Sequence, residues 1–404
     1  MTSSAGKFRR QTLPNAFGSF TVNAYGINIF DSLLNNKEWI VLVLDLPYFQ
    51  VNAKENDPKE MDIFSEMDSD ELYKLQFSSN TFFMLNYTWE GSGHVQYNFW
   101  ELLTCSALRH NIPLEKIFFI SSNLRDEEQY NIWQSIHYPN NRINVVCFNY
   151  FAEYVNQKLN YNISIDTTVK NIKEDQKFFL SLNRRKRSFR IYTIYKIFES
   201  NFYKNTAISY DKLIPSHPQE HPEIYQNINP DTYRRLMESS PAVLDFADFE
   251  QNWACEPKDA IMPASLFDKS LISLVSETLF ETNGSTELFY SEKTFKPMLF
   301  NHPIMIFGQP GLNTYLETVG FKNYSCYFDL SFDNIENHVA RINAQIAQLE
   351  VLNDRLSRMN ISQKIEWFLQ GRETLEYNKE ALRAQDFNKK KLQKFIDIVK
   401  TITE

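Results

Sequence analysis

The sequence has few of the residues that build metal sites, disulfide frameworks or glycine-rich phosphate loops. Its 404 residues include 10 glycines and 4 cysteines. Neither G-x-G-x-x-G nor G-x-x-x-x-G-K-[ST] occurs, so phosphate binding would depend on arginine and lysine side chains. The cysteines lie far apart, which is typical of reduced thiols in a cytoplasmic protein. No cysteine–histidine zinc pattern is present either, and we expect no metal ion.

Long apolar segments are also missing. No apolar run approaches the length that spans a membrane, and the opening residues lack the apolar core of a secretory signal. We therefore expect no membrane span and a cytoplasmic location, in the host cytoplasm if the chain is viral. The formal net charge of −8 disfavours non-specific binding of nucleic acid. The basic segments at 184–190 and 387–395 could still supply a local basic surface.

Apolar runs of strand length alternate with helix-length segments along most of the chain. The runs are continuous, as expected for strands buried on both faces of a parallel sheet. The pattern therefore predicts an α/β protein with two Rossmann-like domains facing a cleft. The predicted strands cover 39–46, 82–87, 117–121 and 143–148 in the first half, and 178–182, 242–246, 271–276, 303–307 and 324–328 in the second.

A polar stretch at 162–176 is the candidate linker. It places an N-terminal domain at 1–170 and a second domain at 171–333. Asp333, followed by Glu336, resembles a helix N-cap with its return partner. Apolar residues then recur every three or four positions, which predicts a helical C-terminal segment at 334–404 that packs on the domains.

A basic cluster follows the predicted strand at 178–182, in the segment "FFLSLNRRKRSFR". Arg184, Arg187 and Arg190 lie where this strand turns into a predicted helix. The arginine fork and the free N–H groups of a helix start both favour an anion at such a turn. A solvated basic face or a nucleic-acid contact explains the same cluster about equally well.

A second charged cluster, Glu292, Lys293 and Lys296, precedes the predicted strand at 303–307. A carboxylate can accept hydrogen bonds from ribose hydroxyls while a neighbouring lysine pairs with phosphate. Taken alone, the cluster is explained better by a surface ion pair, because Glu292 and Lys296 are spaced as i and i+4.

Two candidate catalytic residues lie in "NYTWEGSGH" of the first half. Glu90 stands beside two glycines that permit a tight turn at a strand end, where a general base could face the cleft. His94 is the weaker candidate for the same role. A loop glutamate on a glycine-rich turn is the commoner explanation. Asp68-Ser69-Asp70 resembles a metal-binding D-x-D motif, but it lies in a long acidic stretch and is interpreted as a solvated loop.

Together these segments resemble a known group of proteins. "FLSLNRRKRSFR", "LISLVSETLF" and "YSEKTFKPMLFNHPIMIFGQPG", with "LNYTWEGSG" earlier, resemble glycosyltransferase-like proteins of tailed phages and giant viruses. "SEKTFKP" is also similar to a block of the fucosyltransferase family, whose two Rossmann-like domains form the GT-B arrangement. The resemblance spans roughly residues 80 to 335. One departure is Phe189, where a histidine is expected.

The resemblance implies a GT-B-like, metal-independent glycosyltransferase that needs no further cofactor. A nucleotide-sugar such as a UDP- or GDP-sugar would be the donor, and a glycan, a protein or a modified DNA base the acceptor. Glu90 would be the general base or an acceptor ligand. The implied donor-binding residues are Arg184, Arg187, Arg190 and Lys293 at the diphosphate, Glu292 at the ribose, and Glu277 and Lys296 along the same pocket.

Two alternatives stay open at this point. The first is a phage DNA-modifying glycosyltransferase that acts on a hydroxymethylated base flipped into the pocket. The second is a non-catalytic binding protein that keeps the glycosyltransferase fold. Inversion at the sugar is expected only by analogy with fucosyltransferases.

Overall fold

The computed structural model describes residues 9–12, 40–45, 61–65, 67–88, 98–159, 161–183, 187–210, 226–240, 242, 264–280 and 287–403. These residues belong to two compact units. The first unit draws on Met1–Tyr154, Asn283–Phe289 and Gln385–Glu404, and the second on Val155–Thr282 and Tyr290–Ala384.

The described strands are β1 (Arg9–Thr12), β2 (Ile40–Asp45), β3 (Thr81–Tyr87), β4 (Ile117–Ser121), β5 (Asn144–Cys147), β6 (Lys177–Asn183), β7 (Thr206–Tyr210), β8 (Ser270–Ser276) and β9 (Ile304–Phe307). The described α-helices are α1 (Ser69–Phe77), α2 (Phe99–Arg109), α3 (Asp126–His137), α4 (Tyr150–Lys158), α5 (Ile165–Lys170), α6 (Ser188–Glu199), α7 (Pro230–Glu238), α8 (Ala264–Phe267), α9 (Glu292–Leu299), α10 (His338–Ser357), α11 (Ile361–Leu369), α12 (Arg372–Ala384) and α13 (Asp386–Thr403).

The first unit is built on a five-stranded sheet in the order β1-β2-β3-β4-β5. β1 pairs antiparallel with β2, and the remaining neighbours are parallel. Phe83 and Phe119 belong to the core cluster that also contains residues of α2. The neighbouring Phe118 instead contacts Phe395 of α13, with ring centroids 4.8 Å apart. Because successive side chains of a strand point to opposite faces, apolar residues cover both faces of this sheet.

The second unit contains a four-stranded parallel sheet in the order β7-β6-β8-β9. The chain runs from β6 through α6 to β7 and then returns to place β8 on the other side of β6. β6 and β8 are therefore neighbours that are not consecutive, and their carboxyl ends form a topological switch point. Open α/β sheets bind ligands in the crevice beside such a point.

These two mainly parallel sheets, followed by helices, confirm the predicted α/β class with two Rossmann-like units. The strand predicted at 117–121 coincides with β4. The run at 324–328 forms turns instead of a strand. No described helix combines the length and the apolar character needed to cross a membrane.

The unit boundaries differ from the predicted domains at both ends. The supposed linker at 162–176 contains α5, whose first turn is capped by the side chain of Ser164. Residues 155–170 belong to the second unit, where Asn301 and Lys379 both donate hydrogen bonds to the carbonyl of Ile163. The C-terminal segment is also divided, because α13 belongs to the first unit while α10, α11 and α12 belong to the second.

Candidate functional site

The switch point of the second sheet brings together most of the charged residues singled out in the sequence. β6 leads into α6, which begins beside Arg187, and β8 leads to Glu277 and Thr278. The N-terminus of α9, which begins at Glu292, is fastened to the same place by hydrogen bonds to Glu277. Two helix starts, each a favourable position for an anion, thus adjoin the two central strands.

Glu277 connects the end of β8 with the start of α9 through its side chain. Its side chain is fully buried, and its two carboxylate oxygens accept four hydrogen bonds, from Thr278 N, Ser291 N, Ser291 Oγ and Thr294 Oγ1, at 2.6–3.0 Å. A carboxylate with this many internal donors is already satisfied. Glu277 therefore positions the first turn of α9, and it is not among the residues that line the neighbouring cavity.

Arg187 and Arg190 both reach across the switch point from α6 to the segment after β8. Nη1 of Arg187 donates to the carbonyl of Thr278 at 2.7 Å. Nε and Nη2 of Arg190 donate to the carbonyl of Glu277 at 3.2 and 3.0 Å. Arg190 is only 2% exposed, whereas Arg187 is half-buried. Arg190 thus holds two elements together, and Arg187 is the better placed of the two to meet a ligand.

Glu292 and Lys293 form an ion pair at the start of α9, with Oε1 and Nζ 2.9 Å apart. Lys293 Nζ also donates to Ser291 Oγ at 3.1 Å. Burial alone would raise the pKa of Glu292, but the positive charges of Lys293 and Lys296 and the hydrogen bond from Lys293 lower it to about 2. Glu292 is therefore a carboxylate at neutral pH and can only accept hydrogen bonds.

A cavity opens beside these groups, lined by residues of β6, β8 and the helix α9. It contains about 390 Å³ of empty space, part of it continuous with solvent. Lys293 and Lys296 are its charged lining residues, and Lys296 is only 4% exposed. Its remaining lining residues are Leu180, Leu182, Phe267, Ser273, Leu274, Val275, Ser276 and Pro297.

Two polar residues that we did not single out from the sequence end the central strands. Asn183 is the last residue of β6 and Ser276 the last of β8, and both are at least 95% buried. Asn183 Oδ1 and Ser276 Oγ have no hydrogen-bond partner in the described part of the chain. Buried polar atoms normally find a partner, so these two point to a ligand or a water molecule. The available signal was a polar residue ending an apolar run.

Three predicted site residues, Glu90, His94 and Arg184, lie outside the described residues. Phe189, which stands where a histidine was expected, packs on Phe280 with ring centroids 5.2 Å apart. It also packs on His338 in a T-shaped arrangement, with ring centroids 4.5 Å apart.

The residues that could support other functions are engaged in local structure. Asp68 caps α1, because its Oδ1 accepts a hydrogen bond from Glu71 N at 2.8 Å. In the basic segment 387–395, Lys391 and Lys394 both bind the carboxylate of Glu127. Among the described residues, no group of three or more His, Cys, Asp or Glu side chains is arranged to hold a metal ion.

Comparisons with known proteins add little to this geometry. No protein-family model and no curated protein sequence matches the chain. The N-terminal domain of trehalose-6-phosphate phosphatase from Candida albicans aligns with 92% of this chain and 72% of its own, at 10% identity and a TM-score of 0.44. Trehalose-6-phosphate synthase (OtsA) aligns over 82% and 74%, at 11% identity and a TM-score of 0.39. Both TM-scores lie below 0.5, so neither likeness assigns a function to this chain.

Proposed function

We propose that this chain is a glycosyltransferase that binds the diphosphate of a nucleotide-sugar at the switch point of its second sheet. One observation carries the proposal. The helices that begin beside the ends of β6 and β8 supply Arg187 and Lys293. The same two strands end in the buried Asn183 and Ser276, whose side-chain oxygens have no hydrogen-bond partner among the described residues. Cations, helix N-termini and spare polar groups at one crevice suit a phosphorylated ligand.

The same groups fit the chemistry of sugar transfer. When the bond between the anomeric carbon and the diphosphate breaks, negative charge develops on the leaving diphosphate. Arg187 and Lys293 would stabilise that charge, since both are held in place before the reaction by hydrogen bonds to Thr278 and Ser291. Glu292 would accept hydrogen bonds from the ribose hydroxyls.

The acceptor hydroxyl would attack the anomeric carbon as the diphosphate leaves. In this scheme Glu90 takes the proton of that hydroxyl as general base, and His94 is the second candidate for this role. Attack from the face opposite the diphosphate inverts the anomeric centre. We place a glycan or protein hydroxyl ahead of a DNA base as acceptor. A DNA acceptor would need a basic surface, and Lys391 and Lys394 contribute less to one because both are paired with Glu127.

A donor panel tests the proposal. Wild-type protein, Lys293→Ala and Lys204→Ala are mixed with UDP-, GDP-, ADP-, CMP- and dTDP-sugars, and the thermal shift and the release of free nucleotide are measured. Lys204 is an exposed lysine before β7 and serves as the matched control. We expect one donor to raise the Tm and to be hydrolysed slowly, and Lys293→Ala to lose both effects while Lys204→Ala keeps them.

Two other outcomes would count against the proposal. The absence of a shift with every donor would remove the donor site. A shift without hydrolysis, and without transfer to any acceptor, would favour the non-catalytic binding protein.

A further inference from the structure

The cavity between α9 and the sheet has an open end and a closed end. Lys293, with a side chain 26% exposed, and the half-buried Leu182 lie at the open end. Ser273 is only 4% exposed and lies in the middle of β8, opposite Leu180 of β6. A ligand that holds its diphosphate at Lys293 would therefore extend the rest of the molecule inward, toward Ser273 and the buried Lys296.

Ser273 forms a hydrogen-bond chain with His302 and Phe267. Ser273 Oγ lies 3.0 Å from His302 Nδ1, and His302 Nε2 lies 2.9 Å from the carbonyl oxygen of Phe267. A carbonyl can only accept, so Nε2 carries the proton and Nδ1 of the neutral ring is the acceptor. Burial lowers the pKa of His302 to about 4, which keeps the ring neutral at physiological pH.

The direction of these two hydrogen bonds determines which groups of a ligand Ser273 can bind in the cavity. Its single hydroxyl proton is directed to His302 Nδ1, so its oxygen can offer only lone pairs to a ligand. Apart from Ser273 and Ser276, the uncharged lining residues are apolar, among them Leu180, Val275 and Pro297. The inner part of the cavity therefore combines the acceptor oxygen of Ser273 and the buried side chain of Lys296 with otherwise apolar walls.

We propose that this cavity receives the nucleobase of the donor and that Ser273 selects a base that presents an N–H group to it. The inference rests on the proposed function, because it takes the diphosphate to lie at Lys293. A base without that N–H would leave the buried Ser273 oxygen facing an apolar group. The loss of one such buried hydrogen bond is expected to weaken binding by about tenfold or more.

Calorimetric titrations with matched nucleotides test the inference. UDP, GDP, ADP and CDP are each compared with the analogue whose base N–H groups are methylated, such as 3-methyl-UDP for UDP. The proteins are the wild type, Ser273→Ala and Ser270→Ala. Ser270 is an equally buried serine of β8 outside the cavity lining, where its hydroxyl donates to the carbonyl of Leu266.

We expect wild type and Ser270→Ala to bind the parent nucleotide at least about tenfold more tightly than its methylated analogue. In Ser273→Ala the parent should weaken by about tenfold, and the two nucleotides should bind within about threefold of each other. The methyl group of the analogue also adds bulk, which could weaken binding by itself. The preference is therefore assigned to Ser273 only if the difference in affinity between parent and analogue disappears in Ser273→Ala.

Failure of the inference is distinguishable from failure of the proposed function. If wild type binds a nucleotide but does not distinguish it from the analogue, or if Ser273→Ala keeps the preference, the inference is overturned and the donor site stands. If wild type binds none of the nucleotides, the donor site and the inference fall together.

Discussion

Arg187, at the start of α6, donates a hydrogen bond of 2.7 Å to the carbonyl of Thr278, two residues after β8 ends. The guanidinium therefore bridges the two strands whose carboxyl ends form the switch point. Arginine presents several donors in a planar fork, so the same group can bind this carbonyl and a phosphate. The position of Arg187 connects the topology of the second sheet with the proposed donor site.

The first prediction concerns the affinity for a nucleoside diphosphate. Replacing Arg187 with Ala removes a charged donor, and one hydrogen bond to a charged group is worth about 1.5–3 kcal/mol. We expect the Kd of the preferred nucleotide to rise by about tenfold to a hundredfold in calorimetric titrations. Arg234→Ala is the control, because Arg234 is an exposed arginine of α7 paired with Asp231. Equal nucleotide affinities of the two variants would show that Arg187 does not contribute to nucleotide binding.

A second prediction concerns the stability that Glu277 provides. Glu277→Ala leaves the four donors around its carboxylate without their acceptor. We expect the free energy of unfolding to fall by about 3 kcal/mol, because buried donors to a charged group lose their partner. Urea unfolding measures this change. A loss below about 0.5 kcal/mol, the scale of ordinary surface substitutions, would show that Glu277 is not the brace of α9.

The ion pair at the start of α9 predicts a dependence of stability on acid. The pKa of Glu292 is lowered from 4.5 to about 2, so its carboxylate stabilises the folded protein above about pH 4.5. That stabilisation, on the order of 3 kcal/mol, is lost as the pH falls from about 4.5 toward about 2. Urea unfolding between pH 5 and 3 should therefore show a smaller loss of stability for Glu292→Gln than for wild type.

A matched control separates this effect from general acid denaturation. Glu366 is an exposed glutamate of α11 in the same unit, and Glu366→Gln should lose stability with falling pH as wild type does. Identical pH profiles for Glu292→Gln and Glu366→Gln would contradict the role given to the ion pair.

His302 predicts a second, separate pH window. Its pKa is lowered from 6.5 to about 4 in the folded protein. Between these pH values the unfolded chain binds a proton at this residue and the folded protein does not. Stability should fall as the pH drops from about 6.5 to about 4, by about 3 kcal/mol in total. His302→Gln cannot titrate, and its unfolding free energy should change less over this range. A slope equal to that of wild type would show that His302 is not held neutral.

Long apolar runs were the part of the fold that the sequence predicted well. The run at 117–121 coincides with β4, since a parallel strand buried on both faces must be apolar throughout. The run at 324–328 is also rich in aromatic residues but forms no strand. Its Tyr327 instead packs on Trp367, with ring centroids 5.2 Å apart, and donates a hydrogen bond to the carbonyl of Phe368. Local composition cannot show whether an apolar run will pair with a neighbouring strand or will form turns and pack through its side chains.

Helix starts were harder to predict because several polar residues compete for the cap position. Asp333 was expected to cap the long helix, but α10 is capped by Asn337, whose Oδ1 accepts from Ala340 N. Asp333 instead accepts hydrogen bonds from Asn313 and Thr314, which lie far from it in sequence. Such tertiary partners decide which capping residue is used.

The candidate site, too, could be predicted only in part from the sequence. The charged residues Arg187, Glu292 and Lys293 were visible in the sequence because they interrupt apolar segments. The bracing role of Glu277 and the polar strand ends at Asn183 and Ser276 were not, since they depend on the return of the chain to place β8 beside β6. Spatial order in a sheet is a tertiary property that a linear pattern does not specify.

Hydrogen–deuterium exchange with and without the preferred nucleoside diphosphate tests the central claim most directly, because it locates the ligand along the chain. We predict that the nucleotide slows exchange in peptides covering β6 with the start of α6, the end of β8, and the start of α9. Peptides covering β4 and α2 in the first unit should exchange at the same rate in both states. Protection confined to the first unit, or none at the ends of β6 and β8, would contradict a donor site at the switch point of the second sheet.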